Sequence, residues 1–265
     1  MQKKSLKFAV FALAVFLSGC SMLPEKTDET KGWSASRLYS EARDELASGN
    51  YEKAVEYFEK LESRYPFGTY AQQAQMEVAY THYREGDQAQ ALAAVERFIK
   101  LHPDHPNVDY MYYLRGLINF NDRVGFFDFL SKQDPSERDP KAAREAFDSF
   151  KQLAQRFPDS KYTPDAIARM KYLVDALAQY QVHVANYYYR RGAYLAAANR
   201  AQLAVSSYPD APATEEALYL MVRSYDALGL PALRDDAKRV LDKNFPNSIY
   251  FRGGPVKDEP WWKIW

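Results

Sequence analysis

A glycine-to-proline spacing recurs four times along this chain and constrains its fold more than any other feature. Each glycine is followed seventeen residues later by a proline, and that proline follows an aromatic residue or a histidine. The pairs are Gly49/Pro66, Gly86/Pro103, Gly192/Pro209 and Gly229/Pro246. A fifth aromatic-proline pair, Phe157-Pro158, has Lys141 at the glycine position. A fixed period of this length is typical of a repeat protein in which each unit packs on the next.

The residues between these markers follow a helical pattern. In the first unit Ala54, Phe58 and Leu61 lie on one helical face, and another amphipathic segment precedes each glycine. No stretch alternates as a strand with hairpin signals. The unit is therefore helix, glycine turn, helix and proline stop. We predict an all-α fold, a right-handed α-solenoid of about five helix pairs that resemble tetratricopeptide repeats.

We expect the repeats to occupy residues 34–247 of the chain. Their predicted boundaries are about 34–67, 69–104, 107–158, 162–209 and 212–246. The third repeat contains an insertion at 121–139, and its role stays open. Residues 248–265 form an aromatic tail with Trp261, Trp262 and Trp265. That tail has three interpretations: a cap on the last repeat, a partner contact or a contact with the membrane interface.

The first nineteen residues are typical of a lipoprotein signal peptide. Three lysines precede an apolar run that is too short to span a bilayer, and the segment ends in Leu17-Ser-Gly-Cys20. Cys20 is the only cysteine of the chain, so its sulfur has no disulfide partner and is predicted to carry the lipid. Residues 20–33 then form a polar tether. By resemblance to other bacterial lipoproteins, Ser21 after the cysteine favours anchoring in the outer membrane, at its periplasmic face.

Composition and motifs argue against several function classes. Removing the three lysines of the signal peptide from 35 basic and 35 acidic residues leaves a net charge of about −3, which does not suggest nucleic-acid binding. The chain contains no nucleophile elbow, P-loop, dinucleotide fingerprint or zinc-protease motif. His102, Asp104, His105 and Asp109 cluster in sequence, but nothing there fixes a metal geometry. We therefore predict a protein without cofactor or metal that is not an enzyme.

The candidate binding residues come from an aromatic stripe on the first helices of the repeats. Solenoids commonly bind partners along that surface. The repeat register places these candidate substrate-binding residues there: Tyr39, Arg43, Tyr80, Tyr83 and Tyr113. Tyrosine suits a groove for extended peptide because its ring grips apolar side chains while its hydroxyl reaches backbone groups. Packing between helices is the alternative for each of them.

Four stretches carry a more specific resemblance: 64–75, 94–117, 139–166 and 189–202. They closely resemble the BamD family of outer-membrane lipoproteins, which belong to the β-barrel assembly machinery. The resemblance implies a non-enzymatic scaffold that binds the periplasmic domains of the BamA subunit and other lipoproteins of the machinery. It also implies that the protein recognises the C-terminal signals of unfolded outer-membrane proteins and helps to insert these proteins into the membrane.

By the same resemblance, Tyr65 corresponds to a substrate-binding position and Arg200 to a BamA-binding one. The repeat pattern alone leaves other lipoproteins open, such as a secretin pilotin or an activator of peptidoglycan synthesis.

Overall fold

Ten α-helices in five successive pairs make up the computed structural model, which describes residues 28–120 and 140–252. The helices are α1 Ala35–Ser48, α2 Tyr51–Arg64, α3 Thr69–Glu85, α4 Gln88–Leu101, α5 Val108–Phe120, α6 Pro140–Arg156, α7 Thr163–Arg190, α8 Tyr194–Ser207, α9 Thr214–Ala227 and α10 Pro231–Asn244. A short 3₁₀ helix, Ile249–Arg252, follows α10. Strands are absent from these two ranges. The predicted all-α solenoid is confirmed.

Each helix packs mainly against its neighbours along the chain, as a solenoid requires. The first helices of consecutive pairs also touch, α1 with α3, α3 with α5, and α7 with α9. These contacts line the first helices up along one side of the molecule. That side is called the first-helix face below.

The recurring glycines close the first helix of a pair with the same left-handed turn. Gly49 and Gly86 have φ angles of 86° and 94°, a region that residues with a Cβ rarely adopt. After Gly49, the Asn50 amide donates to the Glu45 carbonyl at 2.9 Å, and after Gly86 the Asp87 amide donates to the His82 carbonyl at 3.0 Å. These bonds satisfy carbonyls that the helix end would otherwise leave unpaired. The turn therefore reverses the chain within two residues.

The recurring prolines end the second helix of each pair. The last residue before the proline still donates its amide to the helix, as Tyr65 does to the Leu61 carbonyl at 2.8 Å. Its own φ of −129° and ψ of 65° have already left the helical region. A proline forces this change because its ring clashes with a helical residue before it. His102, Tyr208 and Phe245 show the same geometry.

In the third pair, the two helices pack closely at Gly116. A Cβ added to Gly116 of α5 would lie 2.3 Å from a ring carbon of Phe150 on α6, and Phe150 is completely buried. Glycine is needed here because the ring occupies the space of a side chain. The predicted insertion at 121–139, which joins these two helices, lies outside the described residues.

Candidate functional site

Glu77 of α3 binds two of the predicted site residues on α1. The Tyr39 hydroxyl donates to Glu77 Oε1 at 3.2 Å, and Arg43 Nη1 donates to the same oxygen at 2.5 Å. The Glu77 charge raises the pKa of Arg43 above its usual range. Burial and then the Glu77 charge raise the pKa of Tyr39, so its hydroxyl stays a neutral donor. Glu77 thus links the first helices of the first two pairs.

Tyr80 and Tyr83 lie one turn further along α3. Their ring centroids are 6.3 Å apart, and both rings pack partly against the cluster around Phe98. Arg84 Nη1 donates to the Tyr80 hydroxyl at 2.9 Å. Both rings are half-buried, so one side of each supports the core while the other side reaches the surface. Such a ring is held in place before any ligand arrives.

Tyr113 of α5 is fixed by groups at the start of α7. Its ring stacks on Tyr162 with centroids 4.9 Å apart, and its hydroxyl donates to Asp165 Oδ2 at 2.6 Å. Arg169 Nε donates to the same carboxylate oxygen at 2.6 Å. Burial is the main cause that raises the pKa of Tyr113 to about 12, and the Asp165 carboxylate adds to it. The phenol therefore stays neutral at physiological pH.

Tyr110 joins these groups into one surface. Its ring lies 5.5 Å from that of Tyr162, and its pKa is raised first by burial and then by nearby Tyr80 and Glu77. The structure therefore brings five of the predicted site residues onto one continuous surface. This surface, called the aromatic face below, comprises Tyr39, Arg43, Glu77, Tyr80, Tyr83, Tyr110, Tyr113 and Tyr162.

Sequence reasoning missed three members of the aromatic face. Glu77 lies three residues before Tyr80, and Tyr110 lies three residues before Tyr113, so helical spacing was a signal for both. Tyr162 precedes α7 and lies outside any helical pattern. Its place on the face follows only from how the third and fourth pairs pack.

Tyr65 occupies a different place, the turn between α2 and α3, where its hydroxyl donates to the Trp33 carbonyl at 2.8 Å. Two neighbours on α2 hold the same incoming segment. Arg64 Nη1 donates to the Thr30 carbonyl at 2.6 Å, and Lys60 Nζ donates to Asp28 Oδ1 at 3.2 Å. These contacts form what we call the N-terminal clasp, residues 28–33 held on α2. Tyr65 thus fixes where the chain enters the first repeat.

Arg200 lies on α8, away from the aromatic face. Its Nη1 donates to Gln181 Oε1 of α7 at 3.2 Å, and Gln181 is itself buried. Leu195 and Leu203 of the same helix are 59% and 40% exposed. Leu203 follows Arg200 by three residues, so the two side chains are neighbours on the helix surface. α8 therefore presents an apolar surface next to a charge.

Three predicted features lie outside the described residues: the lipidated Cys20 with the signal peptide, the insertion at 121–139, and the tryptophans of the tail. Within the two described ranges, no group of three or more histidine, cysteine or carboxylate side chains could hold a metal ion. None of the helices there is both long enough and apolar enough to cross a membrane.

Residues 32–241 match the YfiO family, which is described as an outer membrane lipoprotein family. The chain belongs to this family. Among its relatives, outer membrane protein assembly factor BamD of Neisseria meningitidis is 48% identical over 96% of this chain and 97% of the relative. The BamD protein of Vibrio cholerae is 39% identical over 86% of this chain and 93% of the relative. That of Haemophilus influenzae is 34% identical and covers 91% of both chains.

Family membership confirms several predictions made from the sequence. The chain is an outer-membrane lipoprotein, and the resemblance to the BamD family is real over nearly the whole chain. Its relatives are named as assembly factors, and the chain is likewise a non-enzymatic protein of this class.

Proposed function

We propose that this lipoprotein is a scaffold of the β-barrel assembly machinery with two separate binding surfaces. The aromatic face receives the C-terminal signal of an unfolded outer-membrane protein. The last two helix pairs, with Arg200, dock the periplasmic domains of BamA, and other lipoproteins of the machinery join this complex. The lipid on Cys20 anchors the scaffold to the outer membrane. The aromatic face is the observation on which the proposal rests.

The chemistry of the aromatic face suits an extended apolar peptide. Half-buried rings offer apolar edges, while hydroxyls such as that of Tyr39 lie near the surface with a carboxylate behind them. A β-strand signal has alternating apolar side chains and unpaired backbone groups, so it needs both kinds of contact. The network around Glu77 fixes the rings in advance, which reduces the entropy lost on binding.

The surface around Arg200 suits a folded partner. An arginine guanidinium has five N–H donors, and the structure uses Nη1 for Gln181. Other donors can hold a carboxylate of the partner in a bidentate pair. The exposed Leu195 and Leu203 supply apolar area that an interface would cover.

The test compares two variants, each of which disrupts one of the two surfaces. One variant combines Arg43→Ala and Tyr83→Ala on the aromatic face, and the other carries Arg200→Glu on α8. Each is measured for binding of a peptide that copies the last strand of an outer-membrane protein, and for co-purification of BamA from solubilised membranes. Leu101→Ala is the matched control, since Leu101 is exposed on the second helix α4.

We expect the aromatic-face variant to lose peptide affinity and keep BamA. Arg200→Glu should do the reverse, with BamA binding weakened by at least tenfold because repulsion replaces a charge-assisted contact worth about 2 kcal/mol or more. The melting temperatures of both variants should stay well above the temperature of the binding measurements, as that of Leu101→Ala does, so that lost binding is not caused by unfolding. Loss of both partners in either variant, or recovery of a secretin or a peptidoglycan synthase in place of BamA, would contradict the proposal.

A further inference from the structure

Arg223 of α9 is held between two tyrosine rings on the first-helix face of the last two pairs. Its guanidinium carbon lies 4.4 Å from the ring centroid of Tyr189 and 5.6 Å from that of Tyr219. Tyr189 is part of α7 and packs on the alanine-rich core beneath it, so the frame is anchored. Within the described part of the chain, no carboxylate pairs with this guanidinium.

This arrangement leaves the hydrogen-bonding edge of Arg223 available. A guanidinium stacked on aromatic rings presents its N–H groups around its rim, where they match a carboxylate. The stacking also fixes the long side chain, so less entropy is lost when a ligand binds. The chemistry of the site therefore fits an acidic segment that also carries aromatic side chains to cover the neighbouring rings.

The chain leaves the described structure beside this site. Tyr250 of the 3₁₀ helix stacks on Tyr219 with ring centroids 5.1 Å apart. Its hydroxyl donates to Glu216 Oε2 at 3.0 Å, and Asn186 of α7 donates to Glu216 Oε1 at 2.7 Å. Tyr219 thus touches both Tyr250 and Arg223. Tyr250, two residues before the end of the described range, is therefore one aromatic ring away from Arg223.

We propose that the Tyr189–Arg223–Tyr219 site binds the chain's own segment 253–265. The carboxylates of Asp258 and Glu259 pair with Arg223, and the indoles of Trp261 and Trp262 cover the tyrosine rings beside it.

Reach and charge both favour this occupant. Asp258 follows Tyr250 by eight residues, and a flexible chain of this length spans about 16 Å root-mean-square. Two ring contacts of 5.1 and 5.6 Å separate Tyr250 from Arg223, which is within that span. Opposite charges then meet, and the indoles of Trp261 and Trp262 gain apolar cover. The segment would cover part of α9, the first helix of the last described pair. Terminal repeats of a solenoid need such a cap.

The experiment follows the tail tryptophans by fluorescence. The chain has four tryptophans, and Trp33→Phe leaves only the three in the tail. In this background we compare the parent, Arg223→Gln and a tail variant with Asp258→Asn and Glu259→Gln. Arg239→Gln is the matched control, since Arg239 is an exposed arginine of α10. Acrylamide quenching and the emission maximum report how far the indoles are covered.

We expect the indoles to be shielded from acrylamide in the parent and in Arg239→Gln. Arg223→Gln and the tail variant should both show stronger quenching and a red-shifted emission. Reversing both charges, Arg223→Glu with Asp258→Lys and Glu259→Lys, should restore the cover. A peptide of residues 253–265 should bind the chain shortened after Arg252 about tenfold more weakly when it carries the two neutral substitutions, since bonds to charged groups contribute about 1.5 kcal/mol or more.

Three results would overturn the inference. The first is equal quenching in the parent and both neutral variants. The second is cover that appears only when vesicles are added, which would assign the indoles to the membrane interface. The third is cover that appears only with BamA, which would assign them to a partner. The tail substitutions change none of the residues that the structure describes, so they test the inference even if Arg223→Gln unfolds the protein.

Discussion

The second helices of the first and fourth pairs share one sequence frame but fill it with residues of different size. At five, nine and twelve residues after the glycine, the first pair has Ala54, Phe58 and Leu61, whereas the fourth pair has three alanines. Those alanines are Ala197, Ala201 and Ala204. All six side chains are completely buried. The same repeat therefore supports two kinds of core.

The size of these core residues determines how closely helices approach. Bulky residues hold neighbouring helices apart, and alanines let them come close. Around α8 the core consists mostly of alanines, among them Ala178, Ala185 and Ala217 on the adjacent first helices. Around α2 the core contains Phe58 with half-buried Tyr39 and Tyr80 at its edge. The early pairs therefore carry aromatic rings at the edge of their core, and the aromatic face includes two of these rings, whereas the fourth pair fills its core with alanines.

The largest effect is expected when the bulky core is emptied. Phe58→Ala should lower the free energy of unfolding by about 3–5 kcal/mol, because the truncation leaves a cavity where no solvent reaches. Denaturant unfolding followed by circular dichroism measures it. Phe67→Ala is the control, since Phe67 is 91% exposed and its loss should cost little. Similar losses in the two variants would show that Phe58 does not hold the early pairs together.

A smaller effect is expected when the alanine core is overfilled. Ala201→Leu should destabilise the chain by about 1–3 kcal/mol because α8 must move away from its neighbours. Gln202→Leu adds the same side chain at an exposed position one residue later and is the matched control. Peptide binding by the aromatic face should survive Ala201→Leu. A variant as stable as the control would contradict the close approach inferred for α8.

Much of the fold could be predicted from the sequence because its signals are local. The glycine turn and the proline stop each involve a few consecutive residues, and helical spacing identifies which residues share a face. The site was less accessible because its contacts cross between pairs. Tyr39 and Glu77 are 38 residues apart, and Tyr113 and Asp165 are 52 apart. Periodicity within one helix contains no information on which residue of another helix lies opposite.

The contact made by Tyr65 could not be predicted from the sequence either. Its role in substrate binding, which the resemblance implies, stays a prediction, and the structure adds a contact that the sequence did not predict, the hydrogen bond from its hydroxyl to the Trp33 carbonyl in the N-terminal clasp. The partner of its hydroxyl is a backbone carbonyl. Every residue has such a group, so the sequence does not indicate which carbonyl is bound. The early pairs thus depend on polar contacts that the sequence does not reveal.

The prediction with the smallest expected effect concerns the polar contacts of the N-terminal clasp. The hydrogen bond from Thr30 is the largest cause that lowers the pKa of Asp28 from 3.8 to about 2, and Lys60 and Arg64 act in the same direction. A lowered pKa means that the carboxylate stabilises the clasp fully above about pH 4 and that this contribution is lost as the pH falls through about 2.

Asp28→Asn should therefore open the clasp locally without unfolding the solenoid. Amide hydrogen exchange at Thr30 and Trp33 should be faster in the variant than in the parent at neutral pH, because the ion pairs to Lys60 and Arg64 are gone. The two proteins should become alike only below about pH 2, where most of the parent carboxyl is protonated too. Glu29→Gln neutralises the adjacent exposed carboxylate and should leave the exchange unchanged. A difference between parent and Asp28→Asn that persists below about pH 2 would mean that the clasp depends on the shape of the aspartate rather than on its charge.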